Sequence, residues 1–510
     1  MKQFSRLLGI VLALIMALGV MSVSTAEGLE PVTLEWYVAT NQMPDNQMVF
    51  DALNEYFQEK INATINFHFI DPSEYSDKVS PILMSGQQVD IINCNSGIGY
   101  VDYVKKEAFV PLEDLLVEYA PETYAMIPEG LWEAMNVDGH IYGIPSYKDS
   151  VILYAVMINK TLADEIDLEL PETVSSYKDM VEILRDAFEA RNDLHPEYKL
   201  SDTEYVPMTR TFPDLDQWAP YETINSFAVV NVPGIEAFEG MGSGETVFNK
   251  YATEEYRELC NTTAQLVAEG IMHDNPWYWD PDRIYSKDPS AYLVTDIGNG
   301  YVYVDEHKDS PNFITVMIPF ANNIATTNYL QAAVNAVSVT SPNPERAVMA
   351  LELINTDPFV ATALRFGLEG EHWVQSEEEN VILFDGTRNA DPGNRGNYYW
   401  YGANFGALVY SKVPQGYPNN FMELIKEANE SAISDTNLGF IFDPTPVQNE
   451  LAACSAVIGE YETGLKWGWI APEEVDARID EFLAKLEDAG ASTVIAEAQA
   501  QLDAWRAVNK

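Results

Sequence analysis

Between residues 32 and 94 the chain alternates between the two periodicities of regular structure, and that alternation restricts the folds open to it. Val32-Thr33-Leu34-Glu35-Trp36-Tyr37-Val38 reads as a strand, and 39–46 reads as a polar loop. Val49, Phe50, Leu53 and Phe57 then recur at the spacing of one helix face. Residues 63–70 alternate Ile65, Phe67 and Phe69 with polar neighbours, as a half-buried strand does, and a helix over 75–84 leads into a third strand at 89–93. A β-α-β-α-β succession implies an α/β fold with a mostly parallel sheet. Such sheets hold ligands in the loops beyond the carboxyl ends of their strands, here 39–46 and 95–100.

Further along, His140-Ile141-Tyr142-Gly143-Ile144-Pro145 leads through Ser146-Tyr147-Lys148-Asp149 into a strand-rich run at 151–159, which reads as a crossing between two lobes. Residues 161–295 are rich in helix and loop signals. Asn343-Pro344-Glu345 opens a helix with a side-chain acceptor at the cap, proline at the first position and an acid in the first turn. The clearest helix begins at Pro472 and ends at Gly490, with Val475, Ile479, Phe482, Leu483 and Leu486 on one face. Another follows with Val494, Ile495, Ala498, Leu502 and Trp505 facing inward.

At the amino terminus Lys2 and Arg6 precede an apolar run over 7–21 and the small residues Ser22-Val23-Ser24-Thr25-Ala26, the pattern of a secretory signal peptide over 1–26. Fifteen helical residues reach about 22 Å, short of the roughly 30 Å hydrocarbon core that a permanent span must cross. The whole chain carries a formal charge of −50, and removal of this segment takes away two basic residues and no acid. A field of that sign repels phosphodiester backbones and anionic lipid, which sets nucleic-acid and peripheral-membrane functions aside. Cys94, Cys260 and Cys454 are too widely spaced for a disulfide framework or a close-spaced metal site.

The common catalytic patterns are missing: there is no Gly-x-Ser-x-Gly elbow, His-Glu-x-x-His helix, Cys-x-x-Cys pair or Walker loop. Six histidines never pair at ligand spacing. Gly240-Met241-Gly242-Ser243-Gly244 lacks the strand-to-helix context of a phosphate cradle, and Asp280, Asp282 and Asp288 lack the alternating donors of a calcium loop. No metal or cofactor is expected. Paired carboxylates of a glycosidase, about 5 to 9 Å apart, leave no readable pattern among 79 acids, so a secreted hydrolase stays open.

Aromatic residues mixed with amides and glycines recur in loop-like stretches: Phe212 to Tyr221 with Trp218 among them, Pro276-Trp277-Tyr278-Trp279, Asp296-Ile297-Gly298-Asn299-Gly300-Tyr301, Glu371-His372-Trp373, and Tyr398-Tyr399-Trp400-Tyr401-Gly402-Ala403-Asn404-Phe405. Sugars offer apolar C–H faces and polar hydroxyl rims, so a sugar site needs flat rings beside amides and carboxylates. A peptide or another polar solute would use the same groups.

The order of segments resembles the extracellular solute-binding proteins of ABC importers, the maltose-binding-like group. The stretches that carry the likeness are 32–38, Met84-Ser85-Gly86 with Val89-Asp90-Ile91-Ile92, Tyr142-Gly143-Ile144-Pro145, Asn335-Ala336-Val337-Ser338 with Asn343-Pro344-Glu345-Arg346-Ala347, and Gly367-Leu368-Glu369-Gly370-Glu371-His372-Trp373. The carboxyl third is similar to a narrower branch, lipoprotein-type binding proteins with an uncharacterised carboxyl-terminal domain. That match lies in Gly439-Phe440-Ile441-Phe442-Asp443-Pro444-Thr445-Pro446-Val447, in Glu460-Tyr461 with Gly464-Leu465, and in Ala489-Gly490, Val494-Ile495 and Trp505.

The resemblance implies a periplasmic-binding-protein-like fold of two discontinuous α/β lobes joined by a hinge, with extra carboxyl-terminal helices. Lobe one would take 27–148 and 319–395, and lobe two 149–318 and 396–510, with the family-specific region at about 430–510. It implies an exported monomer that closes over a carbohydrate, docks on the permease subunits of an ABC importer and has no enzymatic activity. Carried over by position, the ligand-binding residues would be Asn41, Asp45, Asn95, Ser96, Tyr147, Asn299, Trp373, Trp400 and Tyr401, with Trp218 added from composition. No cysteine stands at the cleavage site for a lipid anchor, so the expected location is the periplasm or the outer face of the cytoplasmic membrane. A receptor that presents sugar to a membrane kinase would share this fold.

Overall fold

Leu34, Trp36 and Val38 are fully buried because the strand that carries them, β1 (Val32–Ala39), lies inside a sheet. It pairs in parallel with β2 (Ala63–Ile70), from Val32 opposite Ala63 to Ala39 opposite Ile70, and on its other side with β3 (Ile91–Cys94). Val334–Val337 runs antiparallel beside β3, and Gly143–Pro145 runs antiparallel beside that strand, which makes five strands in all. The computed structural model describes residues 28–95, 98–148, 154–171, 177–194, 221–232, 244–272, 294–299, 315–319, 324–390, 396–400, 403–415, 417, 419–434 and 436–510. The expected signal peptide, the glycine stretch 240–243, the aromatic stretches 212–220 and 276–279, and the three aspartates Asp280, Asp282 and Asp288 lie outside them.

Both crossovers are the helices read from the sequence. Helix α1 (Asn46–Ile61) buries Val49, Leu53, Phe57 and Ile61. Helix α2 (Pro72–Met84) starts three residues earlier than expected, because the Asp71 carboxylate accepts the Ser73 N–H at 2.9 Å and Pro72 fits the first turn. The helix Pro344–Thr356 buries Ala347, Ala350, Leu351 and Ile354 as its spacing requires. The expected side-chain cap from Asn343 is not made; only its backbone carbonyl engages, taking the Ala347 N–H at 3.0 Å.

The buried side chains fall into separate cores. The first gathers this sheet and its helices together with Leu330, Val360 and Leu364. Tyr398, Phe405, Leu408, Tyr417, Ile425 and Leu438, from a segment assigned to lobe two by resemblance, also pack into it. The second core joins Tyr221 and Phe227 to Val230, the helix Glu254–Ala268 and the carboxyl-terminal helices Gln448–Lys466, Val475–Asp488 and Ala491–Asn509. The strand expected at 151–159 is Tyr154–Asn159, flanked on both sides by antiparallel partners, Val294–Asn299 and Thr315–Pro319. No single helix among the described residues is long and apolar enough to cross a membrane.

One buried cation ties the first core together. Arg346 donates through Nη1 to the carbonyls of Ile61 and Asn62, where α1 ends, and to that of Glu30. These carbonyls have no partner within the helix, and a guanidinium at a helix carboxyl end also opposes the negative pole of its dipole. Burial holds the Arg346 pKa below its usual value. Replacing Arg346 by Met keeps the packing but strands buried acceptors; urea unfolding is expected to show a loss of about 2 to 3 kcal/mol.

Candidate ligand-binding site

Four chain segments meet at the carboxyl edge of β1 and β3. From β1 the backbone enters 40–45; from β3 it enters a turn in which Asn95 Oδ1 accepts the Ile98 N–H at 3.2 Å. Gly143–Pro145 leads into Ser146 and Tyr147, and the Ser146 N–H donates to Ala333 at the mouth of the neighbouring strand at 2.9 Å. A fifth stretch, 397–400 with 403–408, is laid across this edge.

That segment is fixed by one asparagine and one ring. The Asn404 carbonyl accepts from the side-chain amides of Asn93 at 3.3 Å and Asn335 at 3.2 Å, and its own amide donates to the Ala39 carbonyl. Asn335 in turn accepts the Trp36 indole N–H at 3.3 Å. Phe405 sits beside Trp36 edge-on at 6.3 Å and stacks on Phe69 at 5.4 Å. Leu408 donates its N–H to Tyr147 at 2.9 Å, and Trp400 donates its N–H to Arg365 at 2.7 Å.

Asp45 anchors the other side. Its carboxylate takes a bidentate pair from Arg388, at 2.6 and 2.7 Å, and lies 3.3 Å from Nε2 of the fully buried His372. The Leu368 N–H donates to Nδ1 of that ring at 3.0 Å, so the neutral imidazole carries its proton on Nε2 and donates it to Asp45. The Arg388 hydrogen bond holds the Asp45 carboxyl below its usual range, and burial holds the His372 ring below its own. Gly367 has φ +77°, and a Cβ there would meet the His372 ring at 2.5 Å, so a side chain at that position would displace the ring. Asp45 also receives 397–400 through its backbone, donating its N–H to the Asn397 carbonyl at 3.1 Å.

Of the residues expected to bind ligand, Asn41, Asp45, Asn95, Tyr147 and Trp400 stand on the segments of this edge. Asn41 is exposed, Asn95 and Trp400 are half-buried, and Asp45 and Tyr147 are buried. The Trp400 indole nitrogen has no hydrogen-bond partner among the described residues. Trp373 lies among Phe366, Ile382 and Phe384, its indole N–H held by the Gly367 carbonyl at 3.0 Å. Asn299 ends the strand Val294–Asn299 opposite Tyr154, in a different sheet. Ser96, Trp218 and Tyr401 lie outside the described residues. Sequence reasoning missed Arg388 and Asn404; a cation is scarce in a chain with 29 basic and 79 acidic residues, and that scarcity is the one signal that marks Arg388. An open groove of about 560 Å³ lined by Phe248, Ala491 and Ile495 belongs to the second core rather than to this edge.

Residues 42–225 match the family model described as bacterial extracellular solute-binding protein, and 436–507 match a domain of unknown function, DUF3502. The chain is 23% identical over 478 residues to a carbohydrate ABC transporter substrate-binding protein of Streptococcus pneumoniae, spanning 90% of this chain and 88% of that one. Over residues 42–225 the chain carries the pattern of the bacterial extracellular solute-binding proteins. Among solved structures of the same fold, the N-glycan transport solute binding protein (NgtS) of S. pneumoniae superposes with a TM-score of 0.76 at 21% identity, over 94% of this chain and all of that one. The same protein in complex with Man5GlcNAc superposes at 0.63 over the same shares. An extracellular solute-binding protein of Bifidobacterium longum subsp. infantis superposes at 0.59, with 15% identity over 93% and 98% of the two chains. The fold is therefore the expected two-lobed α/β architecture of solute-binding proteins with added carboxyl-terminal helices, and the edge built above is where such a fold presents its loops.

The Asp45 group makes stability depend on pH in a stated direction. His372 is held below its ordinary pKa, so the unfolded chain binds its proton first, and stability falls as pH drops below about 6.5. Asp45, also held low, stabilises the fold above about pH 4 and loses that contribution as pH falls further. In urea titrations across pH 8 to 3, His372→Gln is expected to flatten the decline between about pH 6.5 and 5 and to leave the decline below about pH 4.

Proposed function

We propose that this solute-binding protein is a non-enzymatic receptor that captures an oligosaccharide outside the cytoplasmic membrane and delivers it to the permease subunits of an ABC importer. The observation that carries the reading is the composition of the sheet edge: exposed Asn41 and half-buried Asn95 follow the carboxyl ends of parallel strands, and the half-buried Trp400 lies on the stretch whose Asn397 carbonyl is bonded to the Asp45 N–H of the Asn41 loop. A flat ring meets the C–H face of a pyranose, while amides exchange hydrogen bonds with its hydroxyls. Asn41, Asn95 and Trp400 are the contacts assigned from lobe one. Asp45 and Tyr147 hold the loops that present them. Relatives named for oligosaccharides support the ligand class: the fructooligosaccharide transporter protein FusA of S. pneumoniae is 22% identical over 518 residues.

Capture proceeds by closure of two lobes. Lobe one is built on the first core and lobe two on the second, and among the described residues the chain passes between them around Gly439. The difference between the TM-scores of 0.76 and 0.63 against one relative, at unchanged identity and coverage, supports a family in which the lobes take more than one arrangement. A ligand shifts such an equilibrium by as much as it prefers one arrangement over the other. The protein acts as a monomer in the periplasm or on the outer face of the membrane.

Calorimetric titration of the chain from residue 27 against mannose-containing N-glycan fragments and fructooligosaccharides is expected to give saturable binding with no product released. Trp400→Ala is expected to weaken that binding at least tenfold, about 1.4 kcal/mol. A peptide released from the purified protein and identified by mass spectrometry, with no heat from any glycan, would replace the carbohydrate with a peptide ligand.

A further inference from the structure

The region matched only as a domain of unknown function lies where the chain passes between its two cores. Leu438 is buried in the first core and Phe440 and Phe442 in the second, while Ile441 packs against the first, so the passage takes place over 438–442, with Gly439 at its start. That glycine has φ +93°, and a Cβ on it would stand 2.8 Å from the Glu133 carbonyl and 3.6 Å from the Trp505 ring. Two segments that join the lobes are fastened side by side here. Ile324–Ala325 pairs in parallel with Ile433–Ser434, and the Gly439 N–H donates to Thr327 Oγ1 at 3.1 Å.

The end of the helix Ala491–Asn509 closes over this joint. Trp505 packs edge-on against Phe440 at 5.9 Å. Arg506 donates to Asn437 Oδ1 at 2.8 Å and to Glu245 Oε1 at 2.9 Å, and Asn437 donates to the Gly244 carbonyl at 2.8 Å. One residue then reaches across: Lys510 Nζ lies 3.1 Å from Glu133 Oε2, on a turn of the first core. The helix is rooted in the second core through Val494, Ala498 and Leu502, so its end links both bodies.

From this geometry we infer that the carboxyl-terminal domain is a hinge brace: its last helix holds the Gly439 crossing and, through Lys510 and Glu133, favours the arrangement of lobes described here. The inference rests on the receptor reading for its purpose, and on the packing alone for its mechanics. A contact present in one arrangement of the lobes and broken in another sets their ratio, and apparent affinity scales with the fraction of molecules in the binding arrangement.

The test uses the full chain with spin labels at Val117→Cys on the first core and Glu473→Cys on the second; both positions are exposed, and the native cysteines are buried. Lys510→Glu and Glu133→Lys are each expected to move the inter-label distance distribution away from wild type, and the double exchange to restore it. Glycan affinity should change about two- to fivefold in each single variant, the range of an exposed ion pair, and return in the double. Trp505→Ala should move the distribution further than either. Wild-type distributions in all of these variants would overturn the brace. If no glycan binds the wild type, the receptor reading falls while the distance measurement still decides the brace.

Discussion

A single backbone carbonyl, that of Asn404, organises the ligand edge. It receives two side-chain amides from strands that are neighbours in the sheet but distant in sequence, Asn93 and Asn335, and the Trp36 indole completes the line. Buried polar groups are tolerated only when paired, so this cluster permits one placement of the 403–408 segment. Trp400, four residues before Asn404, is held next to that placement by its own backbone bond to the Arg365 carbonyl. The Trp400 ring is thus positioned by backbone bonds rather than by its own indole nitrogen.

Charge is distributed with similar economy. The chain is strongly acidic, and several of its few cations in the described residues are committed to joints: Arg346 at the end of the first crossover helix, Arg388 at the loop after the first strand, Arg506 and Lys510 at the passage between cores. The acids outnumber their partners, which keeps the surface negative and repels polyanions. A neutral glycan carries no charge to oppose that field.

Much of the first lobe was legible because its evidence is local. Val49, Leu53 and Phe57 announce a helix within nine residues, and Ile65, Phe67 and Phe69 a strand within five. What periodicity cannot report is which core a segment joins. The resemblance puts 396–510 in the second lobe, while Phe405 inserts beside Trp36 and Phe69, more than 300 residues upstream, and Leu408, Tyr417 and Ile425 share its core. Trp373 and Trp400 looked alike as aromatics in polar loops. The structure separates them: Phe366, Ile382 and Phe384 enclose Trp373, the first at the end of the helix Pro358–Phe366 and the other two on a three-residue strand and the turn after it, too short to register as a core pattern. Arg388 and Asp45 lie 343 positions apart, and no spacing rule relates them.

The three thiols have a consequence for life outside the reducing cytoplasm. Cys94, Cys260 and Cys454 are all buried and unpaired, and burial pushes each pKa up, that of Cys260 to about 12. A protonated thiol is a poor nucleophile, and one with no path to solvent meets neither oxidant nor partner. An odd number of cysteines would ordinarily invite mispairing or covalent dimers in an oxidising compartment. Here the folded state itself withholds them, so only molecules that unfold become vulnerable to cross-linking.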